Sequence, residues 1–165
     1  MNDYFAVDWG ETGTASAAFK VVLINPYELG RQSFNLAAPT ALLKAAGCEV
    51  ACLDLTLQKL EPDTLRDAGL VAIHLGMHAA TRIAIAALPK IRELAPGAHL
   101  AMYGLYAPMN ADLLRGLGVH SLLGGESEPD LVALAERLRD GDISTQNTPM
   151  VQLAQVKFLP PDRSG

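Results

Sequence analysis

From residue 20 to about residue 140 the chain alternates between short apolar runs and longer amphipathic stretches. Lys20-Val-Val-Leu-Ile24 is the first run, β-branched in character and followed at once by the turn signal Asn25-Pro26. Cys48–Asp54 is the second and alternates more strictly, which suits a strand near a sheet edge. Leu70–Leu75, His99–Tyr103 and the short Ser121–Gly124 complete a set of five. Continuous apolar runs of this length fit strands buried on both faces of a parallel sheet.

The stretches between them read as helices. Leu36–Ala46 closes with Gly47, a good residue just past a helix end. Asp63–Ala68 gives a short, weak helix. Thr81–Leu94 carries an apolar stripe at Ile83, Ala87, Ile91 and Leu94, with a kink expected at Pro89. Asn110–Leu114 starts another helix that Gly116 and Gly118 stop. The last begins with Ser127 as cap, Pro129 in the first turn and Asp130 completing an S-x-x-D box. Its apolar face is Leu131, Leu134, Ala135 and Leu138, and Gly141 ends it.

Five strands alternating with helices predict an α/β three-layer sandwich with a parallel sheet. The flavodoxin-like order 2-1-3-4-5 fits five strands and right-handed crossovers best. Residues 1–19 read as an N-terminal extension, 20–141 as the domain, and 142–165, rich in Pro, Thr, Asn and Gln, as a linker or tail. Ligands of such sheets bind at the carboxyl ends of the strands. That rule selects four loops: Asn25–Asn35, Gly76–Thr81, Gly104–Met109 and Gly124–Glu128. The first is long for a βα connection, and long loops at a ligand edge carry function.

Composition narrows the chemistry. Half of the 165 residues are hydrophobic and 19% are charged, too apolar for a disordered chain. A formal net charge of −5 argues against the basic face that nucleic acid requires. No apolar run reaches the ~18 residues of a membrane span, and the first residues lack the basic start of a signal peptide. A cytoplasmic protein that binds neither nucleic acid nor membrane is expected. Cys48 and Cys52 would lie about 13 Å apart along one strand, too far for a disulfide. Residue 55, where a cluster motif would place a third cysteine, is Leu55. Both cysteines read as buried apolar residues.

Several reaction classes lack their residues. Gly76 and Gly124 stand where a receiver domain needs its aspartate and lysine. No G-x-G-x-x-G follows the first strand, and no P-loop lysine motif occurs. Thr12-Gly13-Thr14 imitates a flavin phosphate loop but precedes the first strand. His74 and His99 fall within strands and read as satisfied core residues, which leaves His78 as the candidate ligand-contacting histidine. Glu126, Glu128 and Asp130 suit a helix N-terminus and repel a polyphosphate, so a large ligand of low negative charge fits these loops better.

Tyr27-Glu-Leu-Gly-Arg-Gln32, Tyr103-Gly-Leu-Tyr-Ala-Pro108, Gly124-Gly-Glu126 with Glu128, and the closing Pro161–Gly165 carry a family likeness. From Val21 to about Leu138 the chain resembles the cobalamin-binding-like domain of B12-binding radical SAM proteins. It looks closest to a subgroup whose members end in a Cys-Ala-Glu-Pro-type tail. The resemblance implies a cobalamin-binding module placed in cis before a radical SAM core, which this chain does not contain. The 4Fe-4S cluster and S-adenosylmethionine would belong to that core, with methyl transfer through cobalt as one form of its chemistry. Where such domains carry D-x-H-x-x-G, with a histidine on cobalt, this chain has Asn25-Pro-Tyr27-Glu28-Leu-Gly30. A phenol with pKa near 10 is a poor cobalt ligand, so cobalamin would be held without a histidine axial ligand. Gly124-Gly125 matches the family's glycine pair beside the dimethylbenzimidazole tail, while its serine motif is missing at Leu75–His78. The implied cofactor contacts are Asn25, Tyr27, Glu28, Gly30, Arg31, Gln32, Gly76, Met77, His78, Gly104, Tyr106, Gly124, Gly125 and Glu126; neither catalytic residues nor metal ligands are expected. The alternative is a cofactor-free scaffold or interaction domain that has lost cobalamin binding.

Overall fold

The computed structural model describes residues 18–27, 33–143, 150–152 and 160–162. The expected order appears: β1 (Lys20–Asn25), α1 (Phe34–Ala45), β2 (Glu49–Asp54), α2 (Pro62–Leu65), β3 (Leu70–His74), α3 (His78–Leu94) and β4 (His99–Tyr103). Then come α4 (Tyr106–Met109), α5 (Ala111–Gly116), β5 (Ser121–Gly125), α6 (Glu128–Arg139) and β6 (Met150–Gln152). The sheet runs β2-β1-β3-β4-β5-β6 and every pairing is parallel. Its first five strands have the flavodoxin-like order, with β2 at one edge as its alternation suggested.

Two cores sandwich the sheet. Val22, Ile24, Val71, Ile73, Leu100, Met102 and Leu122 face α2, α3 and α5, through Leu65, Leu88, Ile91 and Leu114. Val21, Leu23, Leu70, Ala72 and Ala101 face α1 and α6, through Leu36, Leu43, Leu131 and Leu134. Period-two alternation on strands covered from both sides explains why the runs are apolar without interruption.

Helix ends follow local chemistry. Past α1, Gly47 takes φ +82° and donates to Lys44 O, while Cys48 N–H reaches Leu43 O. That is a Schellman ending, and Gly141 repeats it after α6. Helix α2 is shorter than the periodicity suggests, since Asp67 adopts φ +59° beyond it. Helix α3 begins at His78 rather than Thr81 and runs through Pro89, whose ring faces solvent. An additional turn, α4, precedes Asn110, whose Nδ2 donates to Tyr106 O at 2.8 Å. The S-x-x-D box does not form. Ser127 has helical dihedrals (φ −82°, ψ −7°), so its hydroxyl makes no capping bond.

Two departures concern the ends of the chain. Met150–Gln152, inside the segment read as a linker, adds a sixth strand to β5 in the register Leu123↔Met150 and Gly125↔Gln152. Asp162 then returns to α1, where its N–H donates to Ala37 O at 3.1 Å and its carboxylate meets Lys44. Three residues are too few for a periodic signal. Phe19, inside the expected N-terminal extension, packs in the α1/α6 core beside Gly69. The Thr12–Thr14 sequence lies outside the described residues. Cys52 is half-buried rather than buried, with its sulfur 3.1 Å from Thr40 Oγ1; Cys48 is buried and both are free.

Truncation after Ile143 is expected to remove the partner of β5 and the Asp162 contacts, costing about 1–2 kcal/mol and lowering Tm by about 5 °C. Calorimetry on the truncated and complete chains checks this. An unchanged Tm would mean that β6 contributes nothing.

Candidate functional site

At the carboxyl edge, β1, β3 and β4 each end on a polar residue: Asn25, His74 and Tyr103. The register pairs Asp54 with Asn25 and His74 with Tyr103, and Ile24 with Ile73 one residue earlier. Asn25, His74 and Tyr103 therefore form one row. Tyr103 and Leu123 of that row pack in the α1/α6 core, so the row presents to the α1/α6 side.

Each member has a different state. Asn25 is 0% exposed; its backbone carbonyl accepts Leu55 N–H at 2.9 Å, yet neither side-chain polar atom has a partner among the described residues. Tyr103 is buried and donates its hydroxyl to Asn35 O at 2.8 Å, which ties the start of α1 to β4. Burial first, then Cys52 and Glu128, hold its pKa well above that of an ordinary phenol. His74 is half-buried, its ring 5.2 Å from that of Tyr103, and desolvation lowers its pKa to about 4. It is a neutral imidazole at physiological pH.

Two glycines make room for that ring. A Cβ on Gly76 would stand 2.6 Å from His74 Cε1. One on Gly104 would meet His74 Nε2 at 3.0 Å and Leu75 O at 2.9 Å, at a φ of +104° that L side chains avoid. Backbone bonds lock the two loops together: Leu75 N–H to Tyr103 O, Tyr106 N–H to Leu75 O and Gly104 N–H to Leu123 O.

The expected contacts distribute as follows. Asn25, Tyr27, Gly76, Met77, His78, Gly104, Tyr106, Gly124, Gly125 and Glu126 all lie on this one edge, with Tyr27 half-buried directly after β1. Glu28, Gly30, Arg31 and Gln32 lie outside the described residues. His78 is exposed at the first position of α3, not in a loop. Gly124 and Gly125 belong to β5, and Gly124 pairs with Val151 of β6. Sequence reasoning missed Ser33, His74 and Tyr103. For His74 and Tyr103 the overlooked signal was a polar residue at the last position of a central strand; Ser33 carried none.

His74 was grouped with His99 as a satisfied core histidine, and the structure separates them. His99 sits at the opposite end of β4 with Nε2 2.8 Å from Ser121 Oγ. Burial, then His120 and Arg137, lower its pKa to about 4. His120 accepts Leu100 N–H on Nδ1 at 2.9 Å. His74 has no hydrogen bond among the described residues, only the ring contact with Tyr103.

Among the described residues the charge at the edge is one-sided. The described stretches 25–27, 33–35, 54–57, 74–79, 103–110 and 124–130 hold no lysine or arginine, but include Asp54, Glu126, Glu128 and Asp130. Burial raises the carboxyl pKa of both Glu128 and Asp130. A polyphosphate is disfavoured there; uncharged hydrogen-bonding ligands are not. Among the described residues no three His, Cys, Asp or Glu side chains gather around a common point, and no helix is long and apolar enough to cross a membrane.

Gly104→Ala is expected to destabilise the protein by about 1–3 kcal/mol, read as a fall in Tm. Gly97→Ala, where an added methyl meets nothing within 4 Å, should stay within about 0.5 kcal/mol of wild type. Acid should also weaken the fold. His74 and His99 have folded pKa values of about 4, below the ordinary 6.5. The unfolded state therefore takes up protons first, and stability present above pH 6.5 is lost as pH falls towards about 4. With its partial solvation and its coupling to His120 discounted, His99 accounts for about 1–2 kcal/mol of this loss. Urea unfolding near pH 7 and near pH 4.5 measures the loss, which His99→Gln should reduce.

No family model matches the chain, and neither the curated proteins nor the solved structures give a match to it.

Proposed function

We propose that this domain is a cobalamin-binding-type module whose site is the carboxyl edge of β1, β3 and β4, with cobalamin held without a histidine axial ligand. One observation carries the reading. A row of uncharged polar groups, with the buried Asn25 amide unpaired, closes the central strands at an edge whose described residues lack basic side chains. Cobalamin is large, carries many neutral amides and only one phosphate, so its demands agree with that edge better than those of ATP or NAD. The likeness of Asn25–Gln32 and Gly124–Glu126 to B12-binding radical SAM proteins supports the same ligand. Asn25, Tyr27, Gly76, Gly104 and Tyr106 would contact the cofactor. On this reading the domain binds rather than catalyses, and a radical SAM core in cis supplies the chemistry.

A second reading, a cofactor-free scaffold that docks a partner, is favoured by one observation. Leu105, just before α4, Met109 on α4 and Leu113 on α5 stand 67%, 71% and 54% exposed.

Protein incubated with hydroxocobalamin and then desalted is expected to stay red. Tyr27→His should add a coordinating nitrogen and change the cobalamin absorption spectrum, while Tyr27→Phe leaves it unaltered. Colourless protein at micromolar concentrations would discard the cobalamin reading in favour of the scaffold.

A further inference from the structure

We infer that Asn25 and Ser33, which flank the β1–α1 connection, form a recognition point for a carboxamide group. The inference rests on the reading of this edge as a ligand site and names the chemistry that the site selects.

Asn25 ends the strand that lies between β2 and β3 and is fully buried, with both Nδ2 and Oδ1 unpartnered among the described residues. Strand pairing uses only its backbone, so the fold draws no hydrogen bond from the side-chain amide. Ser33 is 3% exposed and occupies the N-cap of α1 in extended conformation (φ −69°, ψ 120°). From that conformation a serine normally caps with its hydroxyl. Here the hydroxyl makes no capping bond and has no partner. The backbone carbonyl of Ser33 accepts Leu36 and Ala37 N–H, both at 3.2 Å. The hydroxyl is spare. Buried polar groups are almost always paired, and an unpaired side chain at each end of the β1–α1 connection calls for an external partner.

The donor set decides the class of partner. Asn25 offers two N–H donors and an acceptor on one plane, and Ser33 offers a hydroxyl that does either. His74, next in the row, is uncharged, and the Tyr103 hydroxyl is committed to Asn35 O. A phosphate or carboxylate would satisfy Nδ2 but set negative charge against Oδ1, near an edge that already holds Glu126, Glu128 and Asp130. An ammonium group would leave Nδ2 unpaired. A carboxamide presents C=O and N–H side by side and closes two hydrogen bonds with the asparagine amide. A primary amide on a corrin rim and the lactam edge of a heterocycle share this chemistry.

The test uses the complete chain, with Asn25→Leu and Ser33→Ala. Side-chain amide NMR signals, with that of Asn25 identified by its loss in Asn25→Leu, are titrated with hydroxocobalamin, nicotinamide, uracil and, as an anionic control, acetate. The Asn25 signal should shift saturably with at least one of the three carboxamide compounds and not with acetate. Asn25→Leu should lose about tenfold or more in affinity for that compound, while its Tm without ligand is unchanged or higher. Ser33→Ala should leave the Tm unchanged, since no cap is lost. A shift with nicotinamide or uracil but not hydroxocobalamin keeps the inference and removes cobalamin. Undiminished hydroxocobalamin binding by Asn25→Leu keeps the cofactor and overturns the inference. No shift with any of the three, a shift with acetate alone, or a Tm several degrees lower in Asn25→Leu also overturns it.

Discussion

Strands β1 and β3 bury apolar side chains on both faces of the sheet, Val21 to Ile24 in the first strand and Leu70 to Ile73 in the second, all at most 1% exposed. A two-sided apolar strand is stable only when a helical layer covers each side, and a parallel sheet supplies those layers through its crossovers. Everything else in the molecule depends on that constraint. It sends α1 and α6 to one face and the helices from α2 to α5 to the other. It also leaves the strand ends as the place where the central backbone meets polar side chains.

The carboxyl edge is where the constraint relaxes. Asn25, His74 and Tyr103 stand in one row there, but the surroundings give each a separate task. The phenol holds the start of α1 through Asn35. The imidazole fills the space that Gly76 and Gly104 leave open and is kept neutral by burial. The amide is left with nothing to bind among the described residues. Structural demand accounts for the first two, and only the third is a cost to the fold that a ligand would offset.

Two unfinished features thus coexist: buried unpaired polar groups at the end of β1 and exposed apolar residues around α4 and α5. They suit different occupants. Hydrogen-bonding groups without partners select a ligand by its donors and acceptors, whereas Leu105, Met109 and Leu113 offer area without direction. A module that holds a cofactor and presents it to another domain would use both, the polar groups for the cofactor and the apolar residues for the neighbour.

The strand runs were legible because burial on both faces writes itself into a short window of residues. Their alternation with helices then implied parallel pairing and, through right-handed crossovers, the order 2-1-3-4-5. Gly47 and Gly141 were legible as helix ends for a similar local reason. The loops at the carboxyl edge were also legible, since topology alone assigns ligands to that edge. Tertiary structure decided the rest. Whether Ser127 caps depends on its dihedrals, and whether His74 resembles His99 depends on Ser121 beside one ring and two glycines beside the other. Met150–Gln152 become a strand because β5 offers them an open edge, not through any pattern of their own. The residues of the sequence determine what each segment prefers; only packing decides which polar groups find partners, because those partners come from segments far apart along the chain.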